Sequence, residues 1–237
     1  FTWDVGYKLT VPYSNIIRER SIICICWKWE GEKKVYSLKW DKGDDKALVT
    51  KIAKVLNEAS EIVGHNCDKF DLKWIRARAV FHGVSISPLI KSIDTLKLSR
   101  AKFRFNSNRL DYIAAFLGVG KKIKTEFELW KKVVLDNDPK AMKKMIRYCR
   151  RDVILTEKVF QKIESYGSYK THVGVLSGGL KTDCPKCASS SVQRWGTIVS
   201  AAGYKKQKLH CTDCGRWFTV SDFVVQSDEK KKKQKGV

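Results

Sequence analysis

Residues 61–71 read EIVGHNCDKFD, and this stretch decides the fold because a strand signal and a helix signal meet within it. The apolar run at 61–63 is typical of a short buried strand, and the residues from about 69 onward predict a helix. A strand that passes directly into a helix indicates an α/β domain. The connection between this strand and this helix places the polar side chains of Asn66 and Asp71 at the edge of a sheet.

A second acidic segment follows about eighty residues later, where residues 148–152 read YCRRD. It lies in a predicted helix, in which residues four apart share a face, so Tyr148 and Asp152 are expected to point the same way. Carboxylate oxygens suit hard cations such as Mg²⁺, which support phosphodiester hydrolysis by activating water. Asp71 and Asp152 could supply two such ligands and Tyr148 could orient the water. Two carboxylates hold Mg²⁺ weakly, so a further acidic ligand is required.

Residues 1 to about 163 resemble the DEDDy branch of RNase H-like 3'-5' exonucleases, and most closely its YprB-type and polymerase-B-exonuclease-like members. Asn66, Phe70 and Asp71 match the family's second motif, and Tyr148 and Asp152 match its third. The resemblance implies an RNase H-like mixed sheet flanked by helices. It also implies a metal-dependent exonuclease that hydrolyses DNA or RNA with Mg²⁺ or Mn²⁺. Asp71 and Asp152 would be metal ligands, Tyr148 a catalytic residue and Asn66 a nucleic-acid-binding residue.

The family's first motif, Asp-x-Glu at the end of the first strand, is incomplete in this chain. Asp4 matches its Asp and is the third expected catalytic metal ligand, but Gly6 stands where the family has Glu. Either Gly6 replaces the Glu, or a residue or two carrying it has been lost after Val5. The chain has no initiating Met, and a central strand of three residues would pair poorly with its neighbours, so we expect a trimmed first strand. Because a metal ligand is missing, we also expect little hydrolysis by this chain. The alternative is a non-catalytic nucleic-acid-binding protein with a degenerate nuclease fold.

The composition along the chain divides it into four parts. We predict a nuclease-like domain at 1–164, a linker rich in Gly, Ser and Tyr at 165–181, a zinc ribbon at 182–224 and a basic disordered tail at 225–237. In the first part, apolar periodicity predicts strands at 21–29, 34–38, 61–64 and 88–93, the first two joined by a turn at 30–33 into a hairpin. It also predicts helices at 47–59, 69–81, 110–117, 127–135 and 140–163, the last bent or broken near Arg150.

Two C-x-x-C pairs near the C-terminus are the most specific local signal. They are formed by Cys184, Cys187, Cys211 and Cys214. Two such pairs fit a four-cysteine structural Zn²⁺ site, with the stretches 192–199 and 205–210 forming a hairpin between them. Free buried thiols and disulfides are the alternatives. Four thiolates would close the coordination of the ion, so this site is expected to be structural and not catalytic.

The charge of the chain points to a polyanionic partner. Forty-seven Lys and Arg stand against 25 Asp and Glu, giving a net charge of +22. Such a field attracts nucleic acid, although abundant Lys also serves solubility. No apolar run reaches the roughly 18 residues of a membrane span. We expect single-stranded DNA or RNA ends as partners and no membrane, with replication or repair proteins as further partners. By analogy, such a protein suits the cytoplasm of a bacterium or phage-infected cell.

The ribbon interleaves cations with aromatic residues, a mixture suited to phosphate contact and base stacking. The expected nucleic-acid-binding cations of the ribbon are Arg194, Lys205, Lys206 and Arg216. Trp217 and Phe218 have an alternative role, because they could instead form the small core of the ribbon.

Overall fold

The computed structural model describes residues 12–16, 18–123 and 125–234. The expected remnant of the first strand and Asp4 lie outside these residues. The helices and strands follow in the order β1 (Cys24–Trp27), β2 (Tyr36–Lys39), α1 (Lys46–Glu58), β3 (Ile62–Gly64), α2 (Asp71–His82), β4 (Ser92–Asp94), α3 (Thr95–Lys102), α4 (Leu110–Phe116), α5 (Phe127–Val134), α6 (Pro139–Ile163), α7 (Val173–Leu176), β5 (Val192–Val199), β6 (Lys205–Cys211), β7 (Trp217–Ser221) and α8 (Asp222–Gln234).

Among the described residues, the strands of the N-terminal domain form one antiparallel and one parallel pair. β1 and β2 are antiparallel, which confirms the predicted hairpin, and the rings of Trp27 and Tyr36 stack across it at 5.3 Å between centroids. β3 and β4 are parallel, with Gly64 opposite Asp94. Parallel strands end at the same edge, so the polar residues that follow β3 and β4 lie together. Both kinds of pairing, with helices around them, give a mixed α/β architecture.

The largest apolar cluster lies between α1 and α2. The spacing of Leu48, Ile52 and Leu56 puts them on one face of α1, where they are buried against Leu72 and Ile75 of α2. Apolar residues at intervals of three and four make one stripe of a helix hydrophobic, and burial of that stripe stabilises the packing. This contact sets the position of α2, whose first residue is Asp71.

α6 is the longest helix and connects the remaining clusters. The Asp138 side chain caps it by accepting a hydrogen bond of 2.7 Å from the backbone N–H of Lys140, and Pro139 occupies the first turn, where a missing N–H costs nothing. Met145 is buried against α5, and Leu155 is buried against α4. The helix runs without interruption for 25 residues, so the predicted break near Arg150 is wrong.

A buried ionic network holds the start of α1 to the end of α2. The Asp45 carboxylate is 0 % exposed and accepts two hydrogen bonds from Arg78, at 2.8 and 2.7 Å. It also bonds the backbone N–H of Ile22, just before β1, at 2.8 Å, and Nε2 of His82 at 2.7 Å. Burial by itself would raise the pKa of Asp45, but these hydrogen bonds together lower it.

The segment expected to be a linker is ordered against both domains. Lys170 donates its backbone N–H to Glu61 at 3.0 Å, and Val173, the first residue of α7, donates to the carbonyl of Pro185 at 2.9 Å. Residues 165–181, which the composition predicted to be a linker, therefore make specific contacts with the segments on both sides.

The C-terminal residues also differ from the prediction. α8 continues to residue 234, and its Val225 and Asp228 are buried. Asp228 accepts a hydrogen bond of 3.1 Å from the backbone N–H of Thr182. The stretch 225–234 is therefore a helix that packs on the ribbon, where the charge run had predicted a disordered tail.

Candidate active site and zinc centre

The turn after β3 is organised by a buried carboxylate at the end of β4. Asp94 accepts hydrogen bonds from the backbone N–H groups of Asn66 at 2.8 Å and Asp68 at 3.3 Å, and it caps α3 by accepting from Leu96 at 3.0 Å. Asn66 has φ = 65°, a left-handed conformation that Asn tolerates better than most residues. Asp94 therefore acts as a structural cap, and it fixes the half-buried Asn66 at the edge of the site.

His65 has a structural role in the same turn. Its Nε2 lies 3.1 Å from the carbonyl oxygen of Asn108, and its Nδ1 lies 2.9 Å from the hydroxyl of Thr95. A carbonyl can only accept, so Nε2 carries a proton and donates it. Burial lowers the pKa of His65, which favours the neutral ring. The imidazole thus ties β3 to the segment before α4.

Asp71 is the first residue of α2 and lines a cleft that also reaches α6. Asp71 is solvent-exposed at the cleft, but the protein atoms crowded around its carboxyl group raise its pKa to about 6, with Cys149 and Asp94 adding to the effect and a hydrogen bond from its own backbone opposing it. A carboxyl group with a raised pKa in a cleft is a candidate functional group. A bound cation would favour its charged form.

Tyr148 and Asp152 lie one turn apart on α6 and line the same cleft. Lys122 enters between them, with Nζ at 3.0 Å from the Tyr148 hydroxyl and 2.9 Å from Oδ2 of Asp152. Burial would lower the pKa of Lys122, but the bonds to Asp152 and Tyr148 raise it, so this ammonium group stays charged. Burial also raises the pKa of Asp152, against the effect of Lys122.

The second carboxylate oxygen of Asp152 marks a place for a cation. Oδ1 is buried and has no hydrogen-bond partner among the described residues. A buried carboxylate oxygen without a donor is costly, and a divalent cation would satisfy it. Asp71 and Asp152 thus provide oxygen ligands of the type that Mg²⁺ and Mn²⁺ prefer, from two different helices.

Lys122 contacts two residues of the candidate site, and sequence reasoning missed it. It belongs to an ordinary pair of lysines in the loop after α4, and that pair matches no motif. The only sequence signal was that Lys122 lies between the motif that contains Asp71 and the motif that contains Tyr148 and Asp152. Many other residues share that position, so it could not identify Lys122. Its proximity to Asp152 arises because Arg151 donates a hydrogen bond of 3.1 Å to the carbonyl of Lys121 and so holds the loop on α6.

Three cysteines lie beside the site. Cys24 and Cys26 share one face of β1, and Sγ of Cys26 lies 3.9 Å from the carbonyl oxygen of Ile146 on α6. The neighbouring Cys149 thiol on α6 raises the pKa of Cys24 and Cys26, and these two thiols lower the pKa of Cys149. The thiol contacts help position α6 against β1, next to Tyr148.

The four C-terminal cysteines converge on one point. Their sulfur atoms all lie within 4.8 Å of one another, with Sγ–Sγ distances of 3.5 Å for Cys184–Cys214 and 3.6 Å for Cys187–Cys211. Sulfurs that bind Zn²⁺ tetrahedrally at about 2.3 Å lie roughly 3.8 Å apart. The described residues thus bring together a four-thiolate group of the right size, and a Zn²⁺ ion fits it.

The structure separates the cations that the sequence had grouped together on the ribbon. Lys206 is exposed on β6, and Lys205 beside it points to the opposite face. Arg194 pairs with Glu229 of α8. Arg216 is 7 % exposed, donates to the carbonyls of Glu164 and Gly167, and stacks on Tyr169.

Arg216 therefore serves to join the two domains, and we leave it out of the candidate nucleic-acid surface. Sequence reasoning could not detect this role, because its carbonyl partners lie about fifty residues away in the chain.

Comparison with known families agrees with this architecture. A family model described as the RNase_H superfamily matches residues 19–164, which is more than half of the 237 residues. The chain belongs to the RNase H superfamily. This membership supports a nucleic-acid substrate and a hydrolytic, nuclease-type activity. Comparison with curated proteins finds no match. Across residues 12–16, 18–123 and 125–234, no helix has the length and apolar character needed to cross a membrane.

Proposed function

We propose that this chain derives from a metal-dependent 3'-5' exonuclease of the DEDDy type, which hydrolyses phosphodiester bonds at single-stranded ends of DNA or RNA. One observation carries the proposal. Asp71 of α2 lines the same cleft as Tyr148 and Asp152 of α6, although about eighty residues separate Asp71 from the other two in the chain. Carboxylates from distant segments that open onto one cleft are the kind of ligand that a catalytic metal site requires.

Asp71 and Asp152 would hold Mg²⁺ or Mn²⁺, and Asp4 is the proposed third ligand. When bound, the metal would supply charge neutralisation for the scissile phosphate and a lower pKa for the attacking water. The protein's own groups supply orientation. The Tyr148 hydroxyl, which accepts a hydrogen bond of 3.0 Å from Lys122, would orient that water by hydrogen bonding. Asn66, whose backbone N–H bonds Asp94 at the edge of the cleft, would contact the nucleic acid.

Lys122 adds a positive charge at the site of the developing negative charge. Its ammonium group is within hydrogen-bonding distance of both Asp152 and Tyr148, and a phosphate bound between them would lie close to it. A Lys in this position can stabilise the transition state electrostatically. We therefore include Lys122 among the proposed catalytic residues.

The ion pair between Lys122 and Asp152 also favours a second candidate function, that of a nucleic-acid-binding protein without catalytic activity. Lys122 already neutralises Asp152, as a tethered cation would in a site that has lost its metal. Gly6 in place of the motif Glu agrees with such a loss. The two candidates predict different results in a cleavage assay.

The decisive experiment measures cleavage of 5'-labelled single-stranded DNA and RNA of the same sequence with Mg²⁺ or Mn²⁺. The chain is compared with a Gly6→Glu variant that restores the first motif, and each is combined with Asp71→Asn or Asp152→Asn. Asp136→Asn is the matched control, because this exposed carboxylate lies in the loop between α5 and α6. A substrate with a blocked 3' end tests the direction of digestion.

The exonuclease predicts products shortened from the 3' end, weak for the chain itself and stronger with Gly6→Glu. Asp71→Asn and Asp152→Asn should abolish them, whereas Asp136→Asn should not. Binding of both nucleic acids without cleavage by any variant would instead support the non-catalytic protein. Cleavage that survives loss of both Asp71 and Asp152 would refute the proposed site.

We also propose that the four-cysteine group binds Zn²⁺ structurally. A module of this size has few buried apolar residues and needs a metal to fold. Zinc analysis of the purified chain tests this directly, with one equivalent expected.

A further inference from the structure

The sheet formed by β5, β6 and β7 has one face covered by α8 and one face open. On the covered face, Leu209 is 3 % exposed, Gln207 bonds Asp222 of α8 at 2.6 Å, and Arg194 pairs with Glu229 of α8. Residues directly opposite one another in adjacent strands share a face, and successive residues alternate. The register therefore defines an open face, which consists of Gln193, Trp195, Ile198, Lys206, Lys208, His210, Trp217, Thr219 and Ser221.

Three aromatic rings meet on this open face. The ring centroids of Trp195 and Trp217 are 5.3 Å apart, and those of His210 and Trp217 are 4.5 Å apart. Trp195 remains 58 % exposed and Trp217 45 % exposed. The register of β5 shifts between Arg194 and Thr197, so that two residues face Lys208 alone. This bulge bends β5 beside the rings.

The rings do not form the core of the ribbon. Apart from Cys184 and Cys211, the buried apolar residues among the described part of the ribbon and α8 are Leu209 and Val225. Large aromatic surfaces left in contact with water are costly, and a cluster of them marks an interaction site. The alternative that Trp217 is a core residue is therefore disfavoured by its exposure.

The charge of the open face indicates the kind of partner. Lys206 and Lys208 are exposed and lie about 7 Å apart along β6, given a rise of about 3.4 Å per residue. Among the described strand residues that the register assigns to this face, none is acidic. Two positively charged lysines beside exposed aromatic rings complement a nucleic-acid strand, which has negative phosphates and accessible bases.

We propose that this open face binds single-stranded nucleic acid. Bases stack on the indoles of Trp195 and Trp217, while Lys206 and Lys208 contact the phosphates. Stacking needs an exposed base face, which a single strand offers and a duplex does not, and it tolerates any sequence because every base has such a face. The site is separate from the cleft between α2 and α6, and it does not depend on the proposed hydrolysis.

Binding is tested in an Asp152→Asn background with the zinc-loaded chain and without Mg²⁺ or Mn²⁺, so that cleavage plays no part. The probes are fluorescein-labelled oligo-dT and oligo-U, and the readout is anisotropy across a range of salt concentrations. Trp195→Ala and Trp217→Ala should each weaken binding at least about fivefold. Phe223→Ala is the matched control, because this ring is exposed on α8 and not on the open face, and it should leave affinity unchanged.

The lysines give an independent test. Lys206→Gln should reduce the slope of log affinity against log salt by about 0.7, as expected for one lost phosphate contact to a single strand. Its neighbour Lys205 lies on the other face, so Lys205→Gln should change the slope less. Zinc content and circular dichroism verify folding, and Trp195→Phe and Trp217→Phe replace any alanine variant that fails to fold.

Equal affinities for the Trp195, Trp217 and Phe223 variants would overturn the proposal, and the open face would then belong to a protein partner. Equal salt slopes for Lys205→Gln and Lys206→Gln would overturn the assigned phosphate contact. Because hydrolysis is absent from this assay, neither result bears on the exonuclease proposal.

Discussion

The buried pair of Asp45 and Arg78 gives a quantitative prediction for stability. Replacing Arg78 with Met leaves a fully buried carboxylate without its bidentate partner. Removing one member of a buried ion pair costs about 3–5 kcal/mol. The hydrogen bonds from Ile22 and His82 remain, so we expect the lower part of this range, about 3 kcal/mol.

Thermal unfolding of the zinc-loaded chain at pH 7 measures this loss. For a chain of this length, 1 kcal/mol corresponds to about 2–4 °C in Tm, so Arg78→Met should lower Tm by roughly 6–12 °C. Arg76→Met is the matched control on the same helix, because Arg76 is exposed and its loss should change stability by no more than about 0.5 kcal/mol. Similar Tm values for the two variants would refute the assignment of a stabilising ion pair.

The pair also has a defined dependence on pH. The pKa of Asp45 is lowered from its ordinary 3.8 in the folded chain, so its stabilising contribution is complete above that value. This contribution is lost as the pH falls through the lowered pKa that Asp45 has in the folded chain. The difference in stability between the chain and Arg78→Met should therefore shrink in acid, whereas a difference that stays constant would contradict the electrostatic explanation.

Three further predictions concern the metal sites. Because the pKa of Asp71 is raised to about 6, its carboxyl group in the folded chain holds a proton between about pH 4 and 6. The affinity for Mn²⁺, measured by calorimetry, should therefore rise up to pH 6 and level off above it. Asp71→Asn should flatten this rise. Lys122→Met should tighten Mn²⁺ binding about threefold or more, because it removes an ammonium group that competes with the metal for Asp152. Lys121→Met should not tighten it. Equal Mn²⁺ dissociation constants for the two variants would refute this competition. Cys211→Ser should remove zinc and the hydrogen-exchange protection of β5–β7, and full zinc content in this variant would contradict a four-thiolate site.

Short-range patterns predicted much of the secondary structure. The helices α1, α2, α4, α5 and α6 begin and end within a few residues of the positions expected from apolar spacing. The β1–β2 hairpin was also predicted, because its signals lie within adjacent residues. α3 and β7 were not identified, since both are short and their formation depends on the Asp94 cap and on pairing with β6.

The sequence by itself determined the class of the domain, the likeness of Asp71, Tyr148 and Asp152 to a nuclease site, and the four cysteines of the proposed zinc site. Each of these follows from residue type and local spacing, which a linear sequence displays directly. Only the tertiary structure placed Lys122 between Tyr148 and Asp152, buried Arg216 between the domains and left Trp195 and Trp217 on an open face. These features depend on contacts between residues far apart in the chain, and such contacts exist only after the helices and strands have packed.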